Sequence, residues 1–426
     1  MDVEVGMHFR RLILGSAAAL AAVSGARAAD AVVAAEPEPM EYVRICDTYG
    51  VGFYYIPGTE TCLKVSGYIR YDIGVGAFGL TDVVDKRDDA IEDEFPWDRD
   101  YLNDTYDKRA RFQLRADSRT ETELGTLRTY AAVNFDYETS TEPDFTGFTY
   151  DNGFTTTQTD WSIEHAYLEL AGFRIGKTDS LFSTFTGYGG GVINDDIIGY
   201  GPQGTHQIAY GWSNESGFGV AVAVEEGDGD LVAPFIPPGF GEPDLYTLDS
   251  YVPHVVGGVG WQGSWGGASL VAGYDSVWEE GAVKGRLDFY PTDRLSLFVM
   301  AGWSSYDEDY FSLYYYDPGF TEFEVKDSPN YYAPWGGNWA VWGGGSFMLT
   351  DKATFNVQAS YDEMEDFAIV ANVAYELVPN FVITPEIAYI DNFNDEFQNW
   401  NEYWNGEEVP SENWGFFVRA QANFGG

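Results

Sequence analysis

The sequence predicts an all-β fold, a sixteen-stranded antiparallel barrel that crosses a membrane with its strands. Three observations predict it. First, apolar and polar residues alternate with period two over segments of about 9–13 residues, near the length a tilted strand needs to span a bilayer. Second, sixteen such segments can be laid along the 426 residues. Third, the connections between them largely alternate between short and long, which is how turns gather at one end of a membrane barrel and loops at the other.

The first observation rests on particular residues. In 63–75, Leu63, Val65, Gly67, Ile69, Tyr71, Ile73 and Val75 oppose Lys64, Ser66, Tyr68, Arg70, Asp72 and Gly74. In 353–361, Ala353, Phe355, Val357, Ala359 and Tyr361 oppose Thr354, Asn356, Gln358 and Ser360. In 414–424, Trp414, Phe416, Val418, Ala420, Ala422 and Phe424 oppose Gly415, Phe417, Arg419, Gln421 and Asn423. The pair 283–289 and 295–303 sets Val283, Leu287, Phe289, Leu295, Leu297, Val299 and Trp303 against Lys284, Arg286, Asp288 and Ser296. A soluble sandwich would alternate in the same way, with its apolar face in a core. Segment length favours the inverted arrangement. So do the aromatics at segment ends, Tyr71, Phe289, Trp303, Tyr361, Trp414 and Phe424, where interfacial girdles belong.

The segments fall at 63–75, 107–117, 124–136, 161–170, 173–178, 205–213, 217–225, 252–262, 265–275, 281–290, 294–304, 338–348, 352–362, 366–377, 380–391 and 412–424. Long connections are expected at 76–106, 137–160, 179–204, 226–251, 305–337 and 392–411, with 276–280 and 363–365 as short exceptions in that series. The loop 82–107 alone carries eleven acidic residues. They read as a self-repelling solvated surface, or as a means of concentrating cations or holding divalent ions between lipid phosphates.

Composition agrees. Aromatic residues make up 17% of the chain and there are 49 glycines, which suits strands and turns better than helix interiors. The formal charge of −45 excludes nucleic acid as a partner, since phosphate binding needs basic patches. With two Cys and four scattered His, no metal centre and no cofactor are expected. The N-terminus reads as a signal peptide over 1–28: Arg10 and Arg11, an apolar stretch from Leu12 to Val23, then Ala26-Arg27-Ala28 as an A-x-A cleavage site, with Met7 as an alternative start. No later stretch reaches 18 uninterrupted apolar residues, so a membrane-bound mature chain must cross as strands. The organisation expected is signal peptide 1–28, N-terminal extension 29–62 and barrel 63–426. An exported chain meets an oxidising periplasm, so Cys46 and Cys62 are expected to form a disulfide, worth about 3 kcal/mol for a loop of this size.

The stretch ICDTYGVGFYYIPGTETCLKVSGYIRYD (45–72) resembles the N-terminal signature of the general porins of alphaproteobacteria. The resemblance continues in RARFQLRADSRTETELGTLRTY (109–130), LELAGFRIGKTDSLF (168–182), YELVPNFVITPEIAY (375–389) and the last strand. It implies a sixteen-stranded barrel, a homotrimer, passive diffusion of ions and small solutes, and a third external loop folded into the lumen, here about 179–204 with Gly189-Gly190-Gly191 and Asp195-Asp196. Such proteins end on an aromatic residue; here Phe424 is followed by two glycines.

On that frame Arg109, Arg111 and Arg115 share one face of a strand, and Arg70 and Arg128 on neighbouring strands point the same way. They are expected to form the basic wall of the pore constriction, facing Asp195 and Asp196 on the in-folded loop. The bland alternative is a set of wall salt bridges with no part in selectivity. On the lipid face each arginine would cost about 2–4 kcal/mol at the midplane.

The function expected is an outer-membrane general porin, with periplasmic turns, extracellular loops, and outer-membrane lipid and lipopolysaccharide as surroundings. The alternative is a structural or surface-binding barrel, an adhesin or envelope tether, whose acidic loops do the work. An outer-membrane hydrolase is disfavoured: no GxSxG motif occurs and His8, His165, His206 and His254 do not gather with a nucleophile in sequence.

Overall fold

The structure is a computed structural model and describes residues 44–85, 102–143, 153–227, 246–305, 330–393 and 412–425. The expected signal peptide 1–28 and the beginning of the extension lie outside the described residues, as does most of the acidic stretch 82–107.

The strands are β1 (Tyr54–Tyr55), β2 (Cys62–Gly76), β3 (Leu80–Val84), β4 (Leu102–Thr105), β5 (Asp107–Thr122), β6 (Gly125–Pro143), β7 (Gly153–Leu170), β8 (Phe173–Asp179), β9 (Gly204–Ser213) and β10 (Phe218–Glu225). They continue with β11 (His254–Gln262), β12 (Gly266–Asp275), β13 (Glu280–Thr292), β14 (Leu295–Ser304), β15 (Trp339–Thr350), β16 (Ala353–Asp362), β17 (Asp366–Val378), β18 (Phe381–Asn392) and β19 (Glu412–Phe424). Sixteen of them make the wall. β2 pairs with β5, each later strand with its successor, and β19 returns to β2 with Phe424 opposite Gly67. Every wall pairing is antiparallel, so no sheet edge is left for lipid to solvate. The three remaining strands lie outside the wall. β1 pairs with the first residues of β2, and β3 and β4 pair antiparallel within the first long connection, where the sequence reading places only loop.

The turns at one end are tight. Ala171 and Gly172 join β7 to β8 with φ of 51° and 90°, the left-handed pair that matches strand twist in a two-residue hairpin.

The wall is apolar outside and polar inside. Along β5, Phe112 and Leu114 are each 39% exposed, whereas Gln113 and Asp117 between and beyond them are 4% and 6% exposed. Asp72, Asn134, Asp136, Asn356, Gln358, Asn372 and Glu386 are buried on the inner face of their strands, while Ile69, Phe135, Val259, Val299 and Ile369 are exposed on the outer one. Aromatics collect at both rims. Trp261, Trp265 and Phe289 lie beside short turns, with ring centroids 5.5 and 6.3 Å apart. Trp339 and Tyr361 (5.9 Å), and Tyr389 and Trp414 (5.1 Å), stand at the long-loop end. Among the described residues no helix is long and apolar enough to cross a membrane.

The N-terminal segment is pinned to the wall. Cys46 and Cys62 form a disulfide across a separation of 16 residues, and Phe53 is buried against it. Arg119, on the inner face of β5, stacks on Phe53 and Tyr49, and Lys64 donates to the Val51 carbonyl. The segment therefore rests on inward-facing side chains at the short-turn end.

Inside the wall lies an apolar cluster that period-two reading does not reveal. After β8 the chain forms a short helix, α1 (Leu181–Thr186), capped by Ser180, whose hydroxyl accepts from Phe182 N. Leu181, Phe182 and Phe185 of α1 pack with Ile198, Tyr200, Tyr331, Tyr332, Trp335 and Trp342 against Val256, Val271 and Met300 of the wall. Three inward glycines make this possible. A Cβ would lie 2.5 Å from the Phe185 ring at Gly258, 2.5 Å from the Tyr332 ring at Gly273 and 2.7 Å from the Trp335 ring at Gly302. Full burial of each large side chain is worth about 1.5–3 kcal/mol, so this cluster holds two loop segments, 180–203 and 330–338, inside the barrel.

Candidate functional site

The loop 180–203 crosses the lumen. It leaves β8 and is fastened to β13, β15, β16, β17 and β18; β16 lies halfway round the barrel from β8 in strand order. Near its root, Leu181 N and the Ser180 hydroxyl each donate at 2.7 Å to the Glu225 carboxylate of β10, which also accepts from the Tyr332 hydroxyl at 3.2 Å. Trp342 Nε1 donates to the Ile198 carbonyl at 2.9 Å. Lys284 reaches the Tyr200 carbonyl and Arg286 the Tyr188 carbonyl. At the tip, Gln358 accepts from Gly190 N and donates to the Asp195 carbonyl at 2.6 Å. Asn372 donates to the Gly191 carbonyl at 3.1 Å. The Glu386 carboxylate accepts from Ile193 N at 2.5 Å, Asn194 N at 3.0 Å, Asn194 Nδ2 at 2.7 Å and Asn372 Nδ2 at 2.8 Å. Among the described residues, no hydrogen bond joins this loop to β2, β5, β6 or β19.

Those four strands carry the five arginines expected to form the basic wall, while Arg174 stands on β8. Arg70, Arg109, Arg111, Arg115 and Arg128 all occupy the inward parity of their strands, and Arg119, Arg174 and Arg419, which the sequence reading did not single out, join them. Acids of the same wall accompany them. Asp72 accepts from Arg419 at 2.8 and 3.0 Å and from Arg109 at 3.2 Å. Asp136 takes both Nε and Nη2 of Arg111 at 2.7 Å. Arg128 lies between Asp117 (3.1 Å) and Glu169 (2.9 Å), and Glu169 also accepts from Arg174 at 2.8 Å. The pairings follow from register: Arg111 faces Asp136 across β5–β6, Arg109 faces Asp72 across β2–β5, and Arg419 faces Asp72 across β19–β2. The signal was in the sequence. Asp117 and Arg119 continue the odd-numbered row of Arg109, Arg111 and Arg115, but cross-strand partners need a register that periodicity does not supply.

Asp195 and Asp196 both lie in the crossing loop. Asp195 accepts from the Tyr200 hydroxyl at 3.1 Å, and Asp196, which is exposed, accepts from Gln203 Nε2 at 3.3 Å. Burial, reinforced by the neighbouring Asp196 charge, raises the Asp195 carboxyl to about 7. Among the described residues neither forms an ion pair with a wall arginine.

A closed, inside-out sixteen-stranded wall with a polar lumen defines an outer-membrane channel. The chain belongs to the alphaproteobacterial porin family: the family profile described as "Porin subfamily" matches residues 30–414. It is 42% identical to porin Omp2a of Brucella melitensis over 98% of this chain and 100% of the relative, and 42% identical to porin Omp2b of Brucella neotomae over the same shares. Among solved structures, the outer membrane channel DcaP of Acinetobacter baumannii shares the fold, with a TM-score of 0.51 at 16% identity over 87% of this chain and 99% of that one. The protein is thus a general porin of the bacterial outer membrane, and its family is one of channels rather than enzymes.

Proposed function

We propose that ions and small hydrophilic solutes pass between the arginine wall of β19, β2, β5 and β6 and the crossing loop 180–203. Arg70, Arg109, Arg111, Arg115 and Arg128 are the basic side of this constriction, and Asp195 and Asp196 the acidic side. The observation that carries the reading is the one-sided anchoring of the loop: its hydrogen bonds run to the far wall and leave the arginine wall free. Opposed charges across a narrow wet gap order water and select by sign as well as size. The net charge of −45 gathers cations at the mouths, so the current leans weakly to cations although the wall itself favours anions. The working unit is a homotrimer embedded in outer-membrane lipid and lipopolysaccharide.

The test is the reversal potential across a salt gradient in planar bilayers, for the wild type and for a variant with Arg109, Arg111 and Arg115 all changed to Gln. The variant should be more cation-selective, with conductance still appearing in groups of three steps. An unchanged reversal potential would remove the wall from the conducting path.

A further inference from the structure

We infer that Arg70 and Arg115, flanking the ring of Tyr68, form a transit site for a small oxyanion, a carboxylate or a phosphate. The inference rests on the proposed conducting path along this wall and names what that path binds.

The argument starts from which guanidiniums have bonding capacity left. Six of them, Arg70, Arg109, Arg111, Arg115, Arg119 and Arg419, project from β2, β5 and β19, and among the described residues the carboxylates that accept from them are Asp72, Asp136 and, for Arg119, Asp117. Asp136 is occupied on both oxygens by Arg111. Asp72 is occupied on both oxygens by Arg419, and Arg109 shares one of them through Nη2 while its own Nε is buried without a hydrogen-bond partner. Arg70 comes within 3.4 Å of Asp72, but its Nε–H is buried without a hydrogen-bond partner. Arg115 bonds through Nε to Gln113, a neutral amide. Gln113 cannot turn into a charge partner, because its own Nε2 donates to Asn134 at 2.8 Å. Two further acids on this wall serve elsewhere. Glu164 accepts from Asn134 Nδ2 at 2.6 Å, and Glu138 stands opposite Arg109 in register.

Of the cations with capacity left, Arg70 and Arg115 share one aromatic ring. Tyr68 faces Gln113 across β2–β5; Arg70 is two residues along on β2, and Arg115 two residues along on β5 in the other direction. Their guanidiniums sit 5.1 and 5.4 Å from the Tyr68 ring centroid. An aromatic face holds a guanidinium by its plane and leaves the N–H edges to other partners. The Nη1–Nη2 edge of each is a fork whose spacing matches two oxygens of one anion, so carboxylate and phosphate fit better than a spherical halide. The site opens on a wet lumen, so occupancy is brief, as a transit site requires.

The experiment measures chloride current through the full-length channel in planar bilayers at pH 7 while inorganic phosphate, or separately a small dicarboxylate, is added. Wild type should show saturable block by both anions at millimolar concentrations. A variant carrying Arg70→Gln and Arg115→Gln should need at least tenfold more of either anion. A second variant carrying Arg70→Lys and Arg115→Lys keeps the charge but loses the forks, and should also lose most of the block. Block by only one of the two anions would narrow the ligand to that class and leave the site standing. Absence of block in wild type, or the same block in all three proteins, overturns the inference. If the block is unaffected while neutralising Arg109, Arg111 and Arg115 shifts the reversal potential, the oxyanion site fails and the conducting path survives. If neither changes, both fall.

Discussion

Changing Glu386 to Ala should loosen the crossing loop without opening the barrel. The Glu386 carboxylate accepts from two backbone amides and one side-chain amide of the loop, besides Asn372. A hydrogen bond to a charged group is worth about 1.5–3 kcal/mol net in a folded protein. Lumen water replaces part of that at this site, so the three loop bonds together contribute about 2–3 kcal/mol. A loss of that size shifts the balance between docked and undocked tip by about 30- to 150-fold. The root of the loop stays fixed through α1, Glu225 and the Trp342 bond to Ile198. Single-channel recording is the assay. The variant should show a larger mean conductance and added open-state noise, and Glu386→Gln, which keeps one acceptor oxygen, should fall between it and wild type. Conductance and noise identical to wild type in Glu386→Ala would refute the claim that this carboxylate sets the loop's position.

Replacing both Cys46 and Cys62 by Ser removes a cross-link worth about 3 kcal/mol; protease should then cut within 44–62 while the barrel resists, as mass spectrometry of the fragments would show. Ile69, in the middle of β2 and outward-facing, should cost about 2–4 kcal/mol when changed to Arg, read as a lower urea midpoint for unfolding from lipid. Asp195, on the loop rather than in a strand, has its carboxyl raised to about 7 by burial and by Asp196. It is neutral below that pH and ionised above it, so cation preference should rise as pH passes from 6 to 8 through about 7. Asp195→Asn should abolish that rise, and a pH step that persists in this variant would assign it to another group.

The wall was legible in the sequence because it obeys one local rule. A strand between lipid and water must alternate, so 63–75, 353–361 and 414–424 reveal both their faces and their ends, and most other segments end within a residue or two of the observed strands. By contrast, β5 and β6 run on to Thr122 and Pro143 and β7 begins at Gly153, well beyond the expected 107–117, 124–136 and 161–170. The rule fails where the lumen is not water. Val256, Val271, Met300 and Ala340 are inward yet apolar because α1 and the 330–338 segment cover them. Their strands therefore read as apolar on both faces over a few residues, a signature that period-two reading passes over. Gly258, Gly273 and Gly302 mark the same contact from the wall side, and nothing local distinguishes them from turn glycines. The basic residues were legible as a row, since parity alone groups Arg109, Arg111 and Arg115. Their acids were not, because Asp136 and Glu169 come from strands whose register only the closed barrel fixes. The anchoring of Asp195 and its neighbours by Gln358 and Glu386 spans more than 160 residues of sequence and leaves no local trace.

The most direct test of the inside-out wall is thiol accessibility along one strand. Single cysteines at 109, 111 and 115, and at 110, 112 and 114, are exposed in bilayers to a charged, membrane-impermeant thiol reagent while current is recorded. Modification should reduce the current at the odd positions and leave it unchanged at the even ones. Equal reaction at both sets, or block from the even set alone, would contradict a water-filled lumen lined by the arginine face of β5.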